Sequence, residues 1–151
     1  MALSDHQDVT VSLQELFTGQ LHGKKPIDRI DPLKYSQLLR RGIEGAAVSN
    51  ICSELPAQLL ATALDLDVPE LFRLAEKERL SPQQTEIIGD FVTLWSELKS
   101  FFEDDLQLLT EWLETRLPVL NGEAPVTFIN TFIGRNKIGF YPVSTDGLKR
   151  L

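Results

Sequence analysis

The feature that most constrains this chain is the run opening at Ser81-Pro82-Gln83-Gln84 and continuing to Phe102. Serine followed three residues later by glutamine, with proline at the first helical position, has the form of a capping box. Behind it Ile87, Ile88, Phe91, Leu94, Trp95, Leu98, Phe101 and Phe102 recur at three- and four-residue steps. That period is an apolar stripe along one helix. It predicts the longest helix of the chain, a spine joining an N-terminal and a C-terminal lobe, with the stripe serving as core.

Upstream, shorter helices follow closely. Asp31-Pro32 is a helix start and Arg40-Arg41-Gly42 a matching stop, with cations at the carboxyl end and a glycine for the left-handed cap. Leu33, Leu38 and Leu39 are expected to face inward. Gly45 opens a further helix carrying Val48, Ile51, Cys52 and Leu55, which Pro56 ends. Ala61, then Asp65 at a turn, then Leu71 is helix-turn-helix spacing, and Leu60, Leu64, Leu66 and Leu74 fill the seam. Asp67-Val68-Pro69-Glu70 caps the second helix. A plain helical hairpin tolerates the same spacing. In the first thirty residues Ser12-Leu13-Gln14-Glu15 is another capping box, and Leu13, Leu16, Phe17 and Leu21 suit a short helix docked on the body, broken by Gly23-Lys24-Lys25-Pro26.

Downstream of the spine, Glu103-Asp104-Asp105 places anions at the start of a helix bearing Leu106, Leu109, Trp112 and Leu113. Pro118 stops it, Asn121-Gly122 supplies a turn, and Pro125 suits the first turn of a short helix that buries Phe128, Ile129 and Phe132 and exits at Gly134. The residues Ile138 to Val143 read as one short extended segment, because Pro142 disfavours an uninterrupted helix.

The ordered set Trp112, Leu113, Pro118, Gly122, Pro125, Thr131 and Gly134 resembles the toxin-binding domain of the Xre/MbcA/ParS antitoxins. The resemblance covers the last third and extends more weakly back to about Leu33. It implies that Pro56 to Leu64 and Val68 to Glu78 are the two helices of a DNA-binding motif. The expected layout is an N-terminal segment over residues 1–30, a helix-turn-helix-like domain over 31–80 and a toxin-binding domain over 81–151. The fold class expected is all-α.

The function implied is neutralisation of a cognate toxin of the RES family, whose members resemble ADP-ribosyltransferases and consume NAD, by a segment that occupies their cleft. No cofactor is required of this chain. Asn136, Lys137, Phe140, Tyr141, Lys149, Arg150 and Leu151 are the candidate toxin-binding residues. Aromatic side chains dominate interfaces, and Lys149 and Arg150 end an acidic protein with two cations. An unstructured basic terminus is the plainer account of those last two. The family also implies autorepression of the operon, a homodimer and a hetero-oligomer with the toxin. Candidate DNA contacts are Arg73, Lys77 and Arg79, joined by Arg40 and Arg41. Against them, Asp67, Glu70 and Glu76 repel phosphates. A third option makes the motif a dimerisation module built on Phe72.

Charge and composition agree with that restraint. Fifteen Lys+Arg against twenty-two Asp+Glu give a net charge of −7, the wrong sign for unassisted attraction to nucleic acid, so any operator binding needs a local patch. The chain holds one cysteine, Cys52 among apolar neighbours, and its two histidines, His6 and His22, lack metal-ligand spacing. No phosphate-cradling glycine loop or nucleophile paired with a histidine stands out, so an enzyme is not expected. The start, Met-Ala-Leu-Ser-Asp-His, lacks a basic region before an apolar segment, and no run is long enough to span a bilayer. The expectation is a cytoplasmic protein.

Overall fold

The computed structural model describes residues 13–23 and 31–144, with side chains as far as Gly139. Among the described residues the fold is all-helical. In chain order the α-helices are α1 (Leu13–Leu21), α2 (Pro32–Arg41), α3 (Ala46–Cys52), α4 (Ala57–Ala63), α5 (Val68–Leu74), α6 (Pro82–Phe101), α7 (Leu106–Glu114) and α8 (Phe132–Ser144). Two 3-10 turns, Pro118–Leu120 and Pro125–Phe128, lie between α7 and α8. Strand-like pairing among these residues is limited to two isolated bridges, Glu44 with Arg79 and Leu117 with Glu123. No described helix is long and apolar enough to cross a membrane.

The spine forms as its sequence dictates. Ser81 Oγ accepts from Gln84 N at 3.0 Å and Gln84 Oε1 accepts from Ser81 N at 3.2 Å, so both arms of the capping box are made. From that cap α6 runs 20 residues, roughly 30 Å at 1.5 Å per residue. Ile88, Phe91, Leu94, Trp95 and Leu98 are each at most 3% exposed, and each contributes about 1.5–3 kcal/mol of burial. Helices α1, α2, α4, α7 and α8 all pack on it. One core therefore extends from Leu13 on α1 to Ile138 on α8. At Gly89 a Cβ would lie 2.6 Å from Tyr35 Oη and 2.8 Å from Phe17 Cζ, so glycine lets α1 and α2 reach the spine.

The N-terminal helix docks as expected. Its last carbonyls have no partner within the helix; Ser96 Oγ donates to Gln20 O at 3.0 Å and Lys99 Nζ to Leu21 O at 3.3 Å, both from α6. His22 Nε2 lies 3.1 Å from Glu54 Oε2 beyond the helix end.

Helices α4 and α5 pack on each other through a left-handed corner. Asp65 has φ 60°, as its place in the turn demands. Leu66 N donates to Ala61 O at 2.9 Å and Asp65 N to Thr62 O at 3.0 Å, the two bonds of a Schellman cap. Asp67 accepts from Glu70 N at 2.8 Å and Glu70 returns the bond at 3.0 Å.

Several expectations are corrected. Leu33 is 75% exposed; at 100° per residue it lies away from the face shared by Tyr35, Leu38 and Leu39, and those three meet the core instead. The second motif helix ends at Leu74 rather than Glu78, because residues 78–80 turn back to clasp residues 43–45. Leu80 N donates to Ile43 O at 2.9 Å and Gly45 N to Glu78 O at 3.3 Å. The residues Ile138 to Val143 are helical rather than extended. Pro142 sits in the last turn of α8, so the bond it cannot give to Ile138 O and the clash of its ring with that carbonyl fall on the helix end, while Arg135 and Ile138 anchor the preceding turns by burial. Phe132 is 67% exposed rather than buried, and Gly134 lies inside the first turn of α8 instead of ending a helix.

Candidate functional site

The motif residues between α7 and α8 build one corner. Trp112 and Leu113 are buried on α7, with the Trp112 ring centroid 5.6 Å from that of Phe102. The helix ends at Glu114 and Leu117 N donates to Glu123 O at 3.1 Å, closing a small loop across Pro118. Inside the loop Asn121 and Gly122 have φ of 59° and 83°, conformations that asparagine and glycine adopt most readily. Nothing lies within 4 Å of a Cβ built on Gly122, so backbone conformation rather than space selects glycine there. Pro125 is buried and opens the second 3-10 turn.

Thr131 and Gly134 set the direction of the last helix. Thr131 Oγ1 accepts from Gly134 N at 3.0 Å and so caps α8. A Cβ on Gly134 would lie 2.1 Å from Phe128 O, so the preceding turn packs against bare backbone. The next residue, Arg135, is 5% exposed. Its Nε is 2.6 Å from Asp90 Oδ2 on the spine and its Nη1 donates to Ile129 O at 2.9 Å. This side chain ties α6, the corner and α8 together. Sequence reasoning misses it, although Asp90 interrupting the apolar stripe and a lone arginine between Ile133 and Ile138 are visible signals.

The outward side chains described on α8 are exposed to solvent. Phe132 and Ile133 are 67% and 74% exposed, and Asn136 and Lys137 are also exposed. Phe140 and Tyr141 lie on the helical backbone of α8, and their side chains are outside the described residues. Lys149, Arg150 and Leu151 are likewise outside them. Of the candidate toxin-binding residues, the structure thus brings Asn136 and Lys137 onto one helix with two apolar side chains that do not belong to that set. Beside α8, a groove of about 1110 Å³ runs between the end of α1, the spine and α8; Asp90, Glu97, Asp104, Lys99 and Arg135 are among its lining residues.

The candidate DNA contacts are arranged less favourably. Arg73, Lys77 and Arg79 are exposed, but Arg79 Nη1 donates to Gly42 O at 2.9 Å and stays at the clasp beside α2. Glu44, Glu76 and Glu78, all exposed, are interleaved with these cations and with Arg40 and Arg41. On α5 itself the side chain next to Arg73 is Phe72, 48% exposed.

Among the described residues two titrations are displaced. Burial, reinforced by Glu86 and Asp90, pushes the Tyr35 phenol up to about 12. Burial also raises the Cys52 thiol, which keeps it from being a ready nucleophile. Among the described residues no group of three or more His, Cys, Asp or Glu is placed to hold a metal ion.

Comparison with family models, curated proteins and solved structures finds no match. The functional reading therefore stands on the motif residues and the geometry they make.

Proposed function

We propose that this chain is a cytoplasmic antitoxin that binds a cognate NAD-consuming toxin of the RES type and blocks its active site. What supports this is the use to which the motif is put. Trp112 and Leu113 form core, Asn121, Gly122 and Pro125 make the corner, and Thr131 and Gly134 cap and seat α8. All of them serve to present one helix whose outward side carries Phe132, Ile133, Asn136 and Lys137. The observation that carries the proposal is that bare apolar pair on a rigidly capped helix, since soluble proteins place aromatic and aliphatic anchors outward chiefly where a partner covers them. In this reading the segment from Asn136 to Leu151 is the part that enters the toxin's cleft.

Phe72 favours a second role for the N-terminal half: at 48% exposure on α5, where a DNA reader needs polar or cationic groups, it suits pairing of two copies. In that arrangement the helix-turn-helix regulates mainly through dimerisation, and operator binding is weak or conditional.

Deletion of residues 144–151 tests the tail. The truncated chain is expected to bind the toxin encoded beside it and to leave part of its NAD consumption uninhibited. Full inhibition by the truncated chain refutes the plug and places the blocking surface on the lobe.

A further inference from the structure

Resting on the dimerisation reading of the helix-turn-helix, we propose that α5 pairs antiparallel with α5 of a second copy across a twofold axis at Phe72. That pairing covers Arg73 and Lys77 and so keeps them from DNA.

The face has one apolar centre. Phe72 is 48% exposed, Pro69 one turn before it is exposed, and Val68 and Ala75 beside it are half-buried. A residue on a twofold axis meets its own copy, and an aromatic ring laid offset on its own image is a favoured arrangement. Residues 65–67 lead into α5 and residues 75–79 leave it. Asp65 and Asp67 therefore stand at its amino end, and Lys77 and Arg79 at its carboxyl end.

Charge selects a second copy as the occupant. An axis at Phe72 sets each residue against the one equally distant on the other side. Asp67 and Lys77 each stand five positions from Phe72, and Asp65 and Arg79 each stand seven, so both acids face cations of the second copy. The remaining charges, Glu70, Arg73, Glu76 and Glu78, fall opposite Leu74, Leu71, Val68 and Leu66. No charge meets its like. Moving the axis to Arg73 sets Glu70 against Glu76, and like charges across an interface oppose association. Moving it to Leu71 centres it on a side chain that is 0% exposed. The side chains of Asp65, Arg73 and Lys77 make no ion pair with another described residue, so they remain for a partner. Duplex DNA carries one sign of charge and would meet Asp65, Asp67 and Glu70 along with the cations, which makes it the poorer fit.

Sedimentation equilibrium of the full-length chain, from micromolar to millimolar concentration, tests the pairing. A monomer–dimer equilibrium is expected. Phe72→Ser alters an exposed position, so its melting curve should match that of the unaltered chain where both are monomeric, while the dimer dissociation constant rises at least roughly 30-fold, the loss of a hot-spot residue. Lys77→Glu sets like charges against Asp67 at two symmetric places and should raise the constant roughly 10-fold, whereas Glu76→Lys, opposite Val68, should change it less than about 3-fold. A chain that stays monomeric throughout refutes both the proposal and the dimerisation reading beneath it. A dimer indifferent to Phe72→Ser overturns the proposal and puts the interface elsewhere. Equal effects of Lys77→Glu and Glu76→Lys overturn it with the dimerisation reading intact. Loss of operator binding by Phe72→Ser, with the dimer unaltered, overturns it and assigns the face to DNA.

Discussion

Arg135 offers the sharpest test of how the last helix is held. Asp90→Ala leaves a guanidinium that is 5% exposed, still bonded to Ile129 O but without the counter-charge at its Nε. Breaking a buried pair from one side costs about 3–5 kcal/mol, because the surviving charge stays desolvated. Water reaches Asp90, whose side chain is 31% exposed, and this screening brings the expected cost down to about 2–3 kcal/mol. Arg135→Met should cost less, about 1–2 kcal/mol: methionine keeps the apolar stem, Asp90 can rehydrate, and one carbonyl loses its donor. The double variant Asp90→Ala with Arg135→Met removes both charges and should be no worse than Arg135→Met alone. Urea unfolding reads all three, and with a slope of about 2 kcal/mol per molar, Asp90→Ala moves the midpoint by roughly 1 M or more. A cost below about 0.5 kcal/mol for Asp90→Ala, the level of an ordinary surface substitution, would refute the lock. So would strictly additive costs in the cycle, since contacting charges must couple.

Gly134→Ala gains about 1 kcal/mol of helix propensity yet should destabilise by about 1–3 kcal/mol on balance, because its Cβ would lie 2.1 Å from Phe128 O; a higher melting temperature would show that the corner is not fixed there. Operator DNA should bind weakly, and reversing Arg73 or Lys77 to glutamate should lower the salt slope by about one unit for each phosphate no longer neutralised. Tight binding indifferent to reversals at Arg73, Lys77 and Arg79 would place the DNA surface elsewhere. Tyr35 keeps its proton in the folded state up to about 12, whereas an unfolded tyrosine loses it near 10, at about its ordinary value. The folded chain binds the extra proton between those values, so stability is intact below about pH 10 and falls as pH rises toward about 12. Tyr35→Phe should flatten this alkaline decline, seen as melting temperature against pH, and an unchanged decline would assign it to other groups.

What the sequence makes legible is its punctuation. Ser81 with Gln84, Asp67 with Glu70, Asp31 ahead of Pro32 and Asp105 ahead of α7 all cap helices where the chain order places them. Those signals are local, depending on residues within one turn, and local rules carry over into the fold. The failures share the opposite character. The chemistry of Leu33 argues for an inward place, but its neighbours fix the helical phase. Pro142 argues against helix, but its late position confines the disturbance to the end of α8. Phe132 looks like core because it is phenylalanine, yet the cap at Thr131 turns it outward. The Arg135 to Asp90 pair spans 45 positions, a separation that no periodicity reports.

Silencing of an NAD-consuming partner is the function proposed for this chain. Titrating the full-length protein into the toxin encoded beside it, and following NAD by absorbance or mass spectrometry, tests that most directly. Consumption is expected to fall in proportion to added chain and to cease at a fixed stoichiometric ratio. NAD consumption unchanged at a large excess of the chain, with the toxin shown active and the chain shown folded, would contradict it.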